Sequence, residues 1–372
     1  MHSERFRGLV DAVQAATGPF VSIYFEDSHD TADAAAQLDA RLRDVRKHLE
    51  DESVDTAVIE AIDAVVRASH PPVGRSGRGV IAHGTRIVLD QHLSVPPVST
   101  VIRVSELPYI LPVVERGIPH ASYLKVAVDH TGADISLHDG GRSGAETVEG
   151  SGYPVHNAHK ADTAGYGGPQ GHVEEAVRKN IREVADRVTH LVDERGVDIV
   201  FITGEVTARS ELLAALPERV ADRAVQLQGG GRAAGTDEAE VAAEIDEEFA
   251  RLRQGVLDDA AERFAAGRGT GLAVDGLANV TAALRDGSVD TLIIGELGAA
   301  TVVADRDQLM MVGADADTVS ALGGSPDRVL PADEALPWLA VAIGASLVRT
   351  DERIAPADGV GAVLRYADPN IG

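Results

Sequence analysis

Cysteine is absent from this 372-residue chain. That excludes disulfide staples and thiolate metal sites, and it fits a reducing compartment. Aromatic residues make up only 3% of the chain, with a single tryptophan, so any core must be built from Ala, Val, Leu and Ile. No uncharged apolar run approaches the roughly 20 residues needed to cross a bilayer. The opening MHSERFRGLVDAVQ is too polar for a signal peptide. These absences predict a cytoplasmic protein with no membrane partner. Basic residues are also scarce: 34 Lys and Arg stand against 59 Asp and Glu, a net charge of −25. A field of that sign repels phosphate and argues against loose nucleic-acid binding.

What is present is organised unevenly. Residues 1–120 hold 12 basic against 17 acidic residues, 121–270 hold 16 against 27, and 271–372 hold 6 against 15. Between residues 67 and 103 the first region carries Arg67, Arg75, Arg78, Arg86 and Arg103 with one acid, Asp90. The turn SHPPVGRSGRG sets Arg75 and Arg78 beside glycines, where an exposed pair can meet phosphate. The competing reading is a solvated loop.

Hydrophobic spacing predicts a buried strand at 20–25, helices over 30–49 and 54–68, and a hairpin at 79–83 and 86–92. A proline-punctuated link follows over 96–119. Strands at 123–129, 133–138 and 146–149 then lead to the glycine-rich stretch HKADTAGYGGPQGH at 159–172. A helix over 173–195, a strand at 198–203 and a long acidic helix over 237–266 come next. The last region reads as a helix over 274–286, strands at 291–294 and 301–304, a helix over 332–344 and a closing stretch GVGAVLRYA at 359–367. Strands alternating with helices predict an α/β fold, in three domains at 1–118, 119–268 and 269–372, each a mixed sheet with packed helices.

Few motifs carry chemistry. GGGRAAG at 229–235 follows a strand and precedes a helix, but it lacks G-x-G-x-x-G spacing. The helix after it opens on Asp237, Glu238 and Glu240, which would repel a pyrophosphate. A plain turn is the better reading, and no cofactor is expected. His156, His159 and His172 have no carboxylate or thiolate at a recognisable spacing, so no metal is expected. The stretch 159–172 is near-neutral and rich in hydrogen-bonding groups in an acidic chain. It reads either as a connector or as a tip that enters something.

Three segments favour the tip. The end of the chain reads Gly359-Val360-Gly361-Ala362-Val363-Leu364-Arg365-Tyr366, and 280–294 reads VTAALRDGSVDTLII. Both resemble the third domain of the archaeal and eukaryotic class-one release factor and Pelota family, and VAVDHTGA at 126–133 resembles the opening of its middle domain. The chain is most similar to the actinobacterial branch of the bacterial relatives, that of the Balon-type ribosome hibernation factors. The resemblance implies a three-domain architecture and a 70S ribosome partner, met at small- and large-subunit rRNA. It also implies elongation factor Tu as a second partner, and a docking surface for that GTPase or a ribosomal protein on the third domain.

The resemblance places 159–172 where true release factors carry Gly-Gly-Gln. Here the counterpart is Gly167-Gly168-Pro169, with Gln170 one residue late. Proline has no N–H to donate, and losing one donor of the oxyanion-hole type costs about 3–4 kcal/mol of transition-state stabilisation. Asn-Ile-Lys-Ser is missing, and Tyr-x-Cys is impossible without cysteine. The expectation is therefore a non-enzymatic binder of the vacant A site. Its tip would use His159, Lys160, Tyr166, Gly167, Gly168, Pro169, Gln170 and His172, and its first domain Arg75, Arg78 and Arg86. Tyr166 can stack on an unpaired base, worth about 1–3 kcal/mol. The rival expectation is a peptidyl-tRNA hydrolase or rescue factor using Gln170.

Overall fold

The computed structural model describes residues 7–15, 18–29, 31, 33–68, 75–116, 122–139, 142–151, 169–232, 238–350 and 354–367. Its mixed α/β elements gather into two compact units: Met1–Pro119 together with Leu252–Gly372, and His120–Arg251. The first and third sequence regions thus share one body where separate domains were expected.

In the first region, α1 (Arg7–Ala15) precedes β1 (Phe20–Glu26), α2 (Ala34–Asp51) and α3 (Thr56–Ala68). Then come β2 (Gly77–His83), β3 (Arg86–Leu93), β4 (Val101–Ser105) and α4 (Leu111–Arg116). The antiparallel sheet runs β3-β2-β1-β4. Because strand side chains alternate, Val21, Ile23 and Phe25 pack with Leu42, Leu49 and Ile59 of α2 and α3. Phe20 and Tyr24 face the opposite way and enter a core with Leu292, Leu336 and Leu347. A strand buried on both faces needs a nearly continuous apolar run, which explains FVSIYF.

The second unit holds β5 (Ser122–Asp129), β6 (Gly132–Asp139), β7 (Arg142–Glu149), α5 (Pro169–Arg195), β8 (Ile199–Gly204), α6 (Val206–Ala215), α7 (Glu218–Ala221) and β9 (Ala224–Gln226). Its sheet runs β7-β6-β5-β8-β9, with β5, β8 and β9 parallel. Leu124, Val126 and Val128 of β5 pack on Val184 and Val188 of α5 and Leu212 of α6. On the other face Tyr123 meets Phe201 and Phe249, each edge-on at 5.5 Å. Phe249 belongs to α8 (Glu238–Gly267), within which the unit boundary falls.

The last region comprises β10 (Ala273–Asp275), α9 (Leu277–Arg285), β11 (Val289–Ile294), β12 (Thr301–Ala304), β13 (Val312–Gly313), α10 (Ala316–Ala321), β14 (Arg328–Pro331), α11 (Ala332–Ala342), β15 (Ser346–Arg349) and β16 (Val360–Leu364). They form the sheets β10-β16-β11-β15 and β13-β12-β14. The expected helix over 274–286 is a strand and a shorter helix, separated by Gly276 at φ +81°. A side chain is disfavoured at that backbone angle, so glycine turns the chain there.

The supposed link at 96–119 contains β4, paired with β1, and α4. It helps to join the two ends of the chain. Tyr24 donates its hydroxyl to the Tyr109 carbonyl oxygen. Arg103 reaches Asp333 at 2.9 Å and Glu334 at 3.2 Å. Among the described residues, no helix is long and apolar enough to cross a membrane.

Candidate nucleic-acid interface

Two described segments flank the stretch expected to form a tip. Residues 152–168 lie outside the described residues, and with them His156, His159, Lys160, Tyr166, Gly167 and Gly168. Helix α5 begins at Pro169, four residues earlier than the periodicity predicts. Proline suits that position because its fixed φ is already helical and its missing N–H would have no helical partner. Gln170 and His172 therefore belong to the first helical turn, where a loop was expected.

In the other segment, Gly150 donates its N–H to the Thr131 carbonyl oxygen at 2.9 Å. The Ser151 N–H meets Glu183 of α5 at 2.7 Å, and the Ser151 hydroxyl donates to the same carboxylate. Both bonds hold the Glu183 carboxyl below its usual range. Asn180, one turn earlier, donates to the His130 carbonyl oxygen at 3.0 Å. A Cβ on Gly150 would fall 2.0 Å from the Asn180 side-chain oxygen, so only glycine fits. Glu183 lies 14 residues beyond Pro169, roughly 21 Å along the helix axis.

The arginines of the first region separate. Arg75 is exposed at the entry to β2, and Arg86 is exposed at the start of β3. Neither has an ion pair among the described residues. Arg86 pairs across the hairpin with His83, whereas Arg75 precedes Gly77. Six strand rises, roughly 20 Å, lie between Gly77 and His83. The two arginines are thus at opposite ends of the hairpin.

Arg78 does not join them. It is only 1% exposed. Its guanidinium forks onto Asp90 at 2.8 and 2.9 Å and donates to the carbonyl oxygens of Val66 and Val65 at 3.0 and 3.1 Å. Asp27, also buried, lies 3.9 Å away. The expected exposed loop is already β2 at this point, so alternation turns Arg78 inward. There it satisfies carbonyls that the last turn of α3 leaves open. Arg67 is likewise bound to Asp39 and Asp63. Arg103, besides its acids, lies 4.4 Å over the Tyr109 ring.

The carboxyl ends of the parallel strands hold a second polar constellation that the sequence reading missed. Asp129 accepts from the N–H groups of Thr131 and Gly132 at 2.7 and 3.0 Å and from Arg232 at 2.9 Å. Burial works against its ionisation, but the Thr131 and Arg232 hydrogen bonds win and hold its carboxyl below the usual range. Nearby, the N–H groups of Gln228 and Gly229 each donate to Glu244 at 2.6 Å. The Gly229 amide opens the glycine-rich turn considered for a nucleotide. The last part of that turn, 233–235, lies outside the described residues. His130 and Glu205 lie 2.6 Å apart beside it. Among the described residues, no group of three or more His, Asp or Glu side chains could hold a metal.

Comparison with known proteins gives this arrangement a setting. The sequence model of bacterial archaeo-eukaryotic release factor family 2 matches residues 122–270. Uncharacterized protein Rv2629 of Mycobacterium tuberculosis (strain ATCC 25618 / H37Rv) is 50% identical over 372 residues, covering 100% of this chain and 98% of that protein. Uncharacterized protein MT2704 of strain CDC 1551 / Oshkosh matches to the same extent. Among solved structures, the archaeal translation termination factor aRF1 aligns over 98% of this chain and 99% of its own, at 17% identity and a TM-score of 0.25. Archaeoglobus fulgidus Pelota aligns over 78% and 80%, at 13% identity and a TM-score of 0.35. Similarities to structures at that level carry no argument about function.

Proposed function

Because this chain belongs to bacterial archaeo-eukaryotic release factor family 2, we propose that it acts on the ribosome as a non-catalytic occupant of the vacant A site. The observation that carries this reading is the start of α5. The family match covers the segment, and at the position the resemblance assigns to the working glutamine stands Pro169, the first residue of a helix. Proline offers no N–H to a developing charge. Gln170 stands one residue later, in the first turn of α5.

In this reading the segment ending at Pro169 enters the large subunit, where Tyr166 stacks on rRNA. Arg75 and Arg86 meet small-subunit rRNA phosphate. Phosphate contacts position a protein without reading sequence, which suits a factor that shelters idle ribosomes of the cytoplasm during stress. The acidic 271–372 region is better suited to a protein partner, elongation factor Tu or a ribosomal protein, than to RNA.

Co-sedimentation with 70S ribosomes from starved cells tests the proposal. The expected result is pelleting at near-physiological salt that weakens as salt rises. No pelleting, with or without elongation factor Tu, would overturn it. A single-turnover assay on loaded ribosomes is expected to show no peptide release. Release lost in Gln170→Ala but kept in Tyr166→Ala would put a peptidyl-tRNA hydrolase or rescue factor in its place.

A further inference from the structure

The loop at 94–100, between β3 and β4, presents apolar side chains to solvent. Val98 is 95% exposed and Val95 is 52% exposed. Pro96 and Pro97 stand between them, half-buried. Each proline fixes its own φ and keeps the residue before it out of the helical region, so 95–97 runs extended. In the polyproline form three residues complete a turn, with a rise of about 3.1 Å each. Val95 and Val98 then share one edge, roughly 9 Å apart.

The loop is clamped at its base. Ser94 donates its N–H and its hydroxyl to the Arg116 carbonyl oxygen, at 2.9 and 3.1 Å. The Arg116 guanidinium donates in turn to the Pro96 carbonyl oxygen at 2.9 Å, and Arg253 of α8 donates to the Ser94 hydroxyl at 3.1 Å. A Cβ on Gly77 would fall 2.9 Å from the Pro97 ring and 3.0 Å from the Pro96 Cα, so both prolines lie directly on the start of β2. The proline side is thus turned inward and the valine edge outward. A loop already fixed in this way loses little freedom when a partner covers it.

Charge decides what that partner is. Glu26, opposite Gly77 in the sheet, meets Arg41 at 2.6 Å, and Glu115 meets Arg116 at 3.1 Å. The buried Asp27 lies between His29 at 3.2 Å and Arg78 at 3.9 Å. These carboxylates are already answered. Arg75 stands two residues before Gly77, roughly 7 Å away at most along the backbone, exposed and with no ion pair among the described residues. The charge left over beside the valine edge is positive. A polyanion that also offers apolar faces fits both features, and unpaired RNA is one, because its bases are unstacked and open.

We propose that the 94–100 loop is an apolar contact for single-stranded small-subunit rRNA, in which the Val95–Val98 edge packs on the face of an unpaired base while Arg75 meets a phosphate of the same strand. Apolar side chains, proline among them, wedge against bases in other nucleic-acid binders. The inference rests on the ribosomal reading and adds to it the kind of RNA that is met.

The full-length protein, Val95→Ser, Val98→Ser, the double variant and Arg75→Ala are co-sedimented with 70S ribosomes across a salt series. An apolar contact releases no counterions, so each valine variant is expected to bind about tenfold more weakly at every salt concentration with an unchanged slope. Arg75→Ala is expected to reduce the slope by about 1. Melting temperatures should not move, because the valines are exposed. Dimethyl sulfate and 2′-hydroxyl acylation probing of the pelleted ribosomes should show an unpaired small-subunit nucleotide that the wild type protects and the double variant does not. If the wild type pellets and both valine variants pellet equally well, this inference fails and the ribosomal reading stands. If the wild type does not pellet, both fail. Weakened binding of the valine variants with no such nucleotide overturns the RNA contact and puts a ribosomal protein in its place.

Discussion

Charged side chains hold backbone groups in both compact units, with carboxylates prominent in the second and arginines in the opening stretch of the first. In His120–Arg251 carboxylates collect backbone N–H groups: Asp129 holds the turn at Thr131 and Gly132, Glu183 holds Ser151, and Glu244 holds Gln228 and Gly229. In the Met1–Pro119 stretch arginines collect carbonyl oxygens. Arg78 takes Val65 and Val66, and Arg116 takes Pro96 at 2.9 Å. Charge of both signs is withdrawn from the surface in this way, since Arg223 of the second unit takes the Val197 carbonyl oxygen at 2.8 Å and Asp305 of the first takes the N–H groups of Asp307, Gln308 and Ser325. Regional sums of acids and bases consequently overstate the field that a polyanion meets. Arg75 and Arg86 matter because they are not used in this way.

The sharpest way to break the contrast is to remove one internal charge from each unit. Arg78→Ala leaves Asp90 and the fully buried Asp27 without their cation and uncovers two α3 carbonyls. Breaking a buried pair by deleting one partner costs about 3–5 kcal/mol. Glu244→Ala leaves two amides unmet at a partly exposed turn, and about 1–3 kcal/mol is expected. Urea denaturation of the two variants should rank them in that order. Equal losses would mean that Arg78 is no more internal than Glu244.

The same contrast explains what the sequence could and could not reveal. The apolar run at β1, the helix through 195, and the paired segments at 280–294 and 359–366 were legible because periodicity and composition are local properties. β11 and β16, which carry two of the segments behind the family resemblance, are hydrogen-bonded neighbours in the structure. At Gly361 a Cβ would fall 2.7 Å from the Phe264 ring, which gives the glycine-rich ending a packing reason. Arg78 was misread because strand β2 begins at Gly77, two residues before the apolar signal starts. β4 was lost among prolines because all five of its residues are half-buried and show no alternation. Asp129 with Arg232, and Gln228 with Glu244, join residues far apart in sequence, and single-chain pattern reading has no access to such pairs.

A pH titration sharpens the comparison through one histidine in each unit. Burial, then the nearby Arg78, pushes the His92 imidazole below its ordinary value, against the opposing pull of Asp27 and Asp90; His29 adds to the shift. His138, stacked on Tyr123 at 4.5 Å, is lowered by burial and then by Lys125, with Glu238 opposing. The unfolded chain takes up these protons near about pH 6.5 while the folded chain resists, so stability present above that pH is lost as pH falls through it. Urea melts between about pH 7.5 and about pH 5.5 should record the loss. His138→Phe keeps an aromatic ring against Tyr123 and should flatten the profile; an unchanged slope would place the proton uptake elsewhere.

The smallest effect on stability is expected where the proposed function is most exposed. Arg75→Ala and Arg86→Ala remove side chains with no ion pair among the described residues, so each should change unfolding free energy by no more than about 0.5 kcal/mol. On ribosomes the same variants should bind more weakly, each reducing the slope of log affinity against log salt by about 1 if one phosphate contact is lost. The hairpin sets the two arginines roughly 20 Å or more apart, so they cannot share a phosphate, and the double variant should lose about 2. A double variant that loses no more than either single one would show that only one arginine meets RNA. An unchanged slope in all three would leave Arg75 and Arg86 without a phosphate contact.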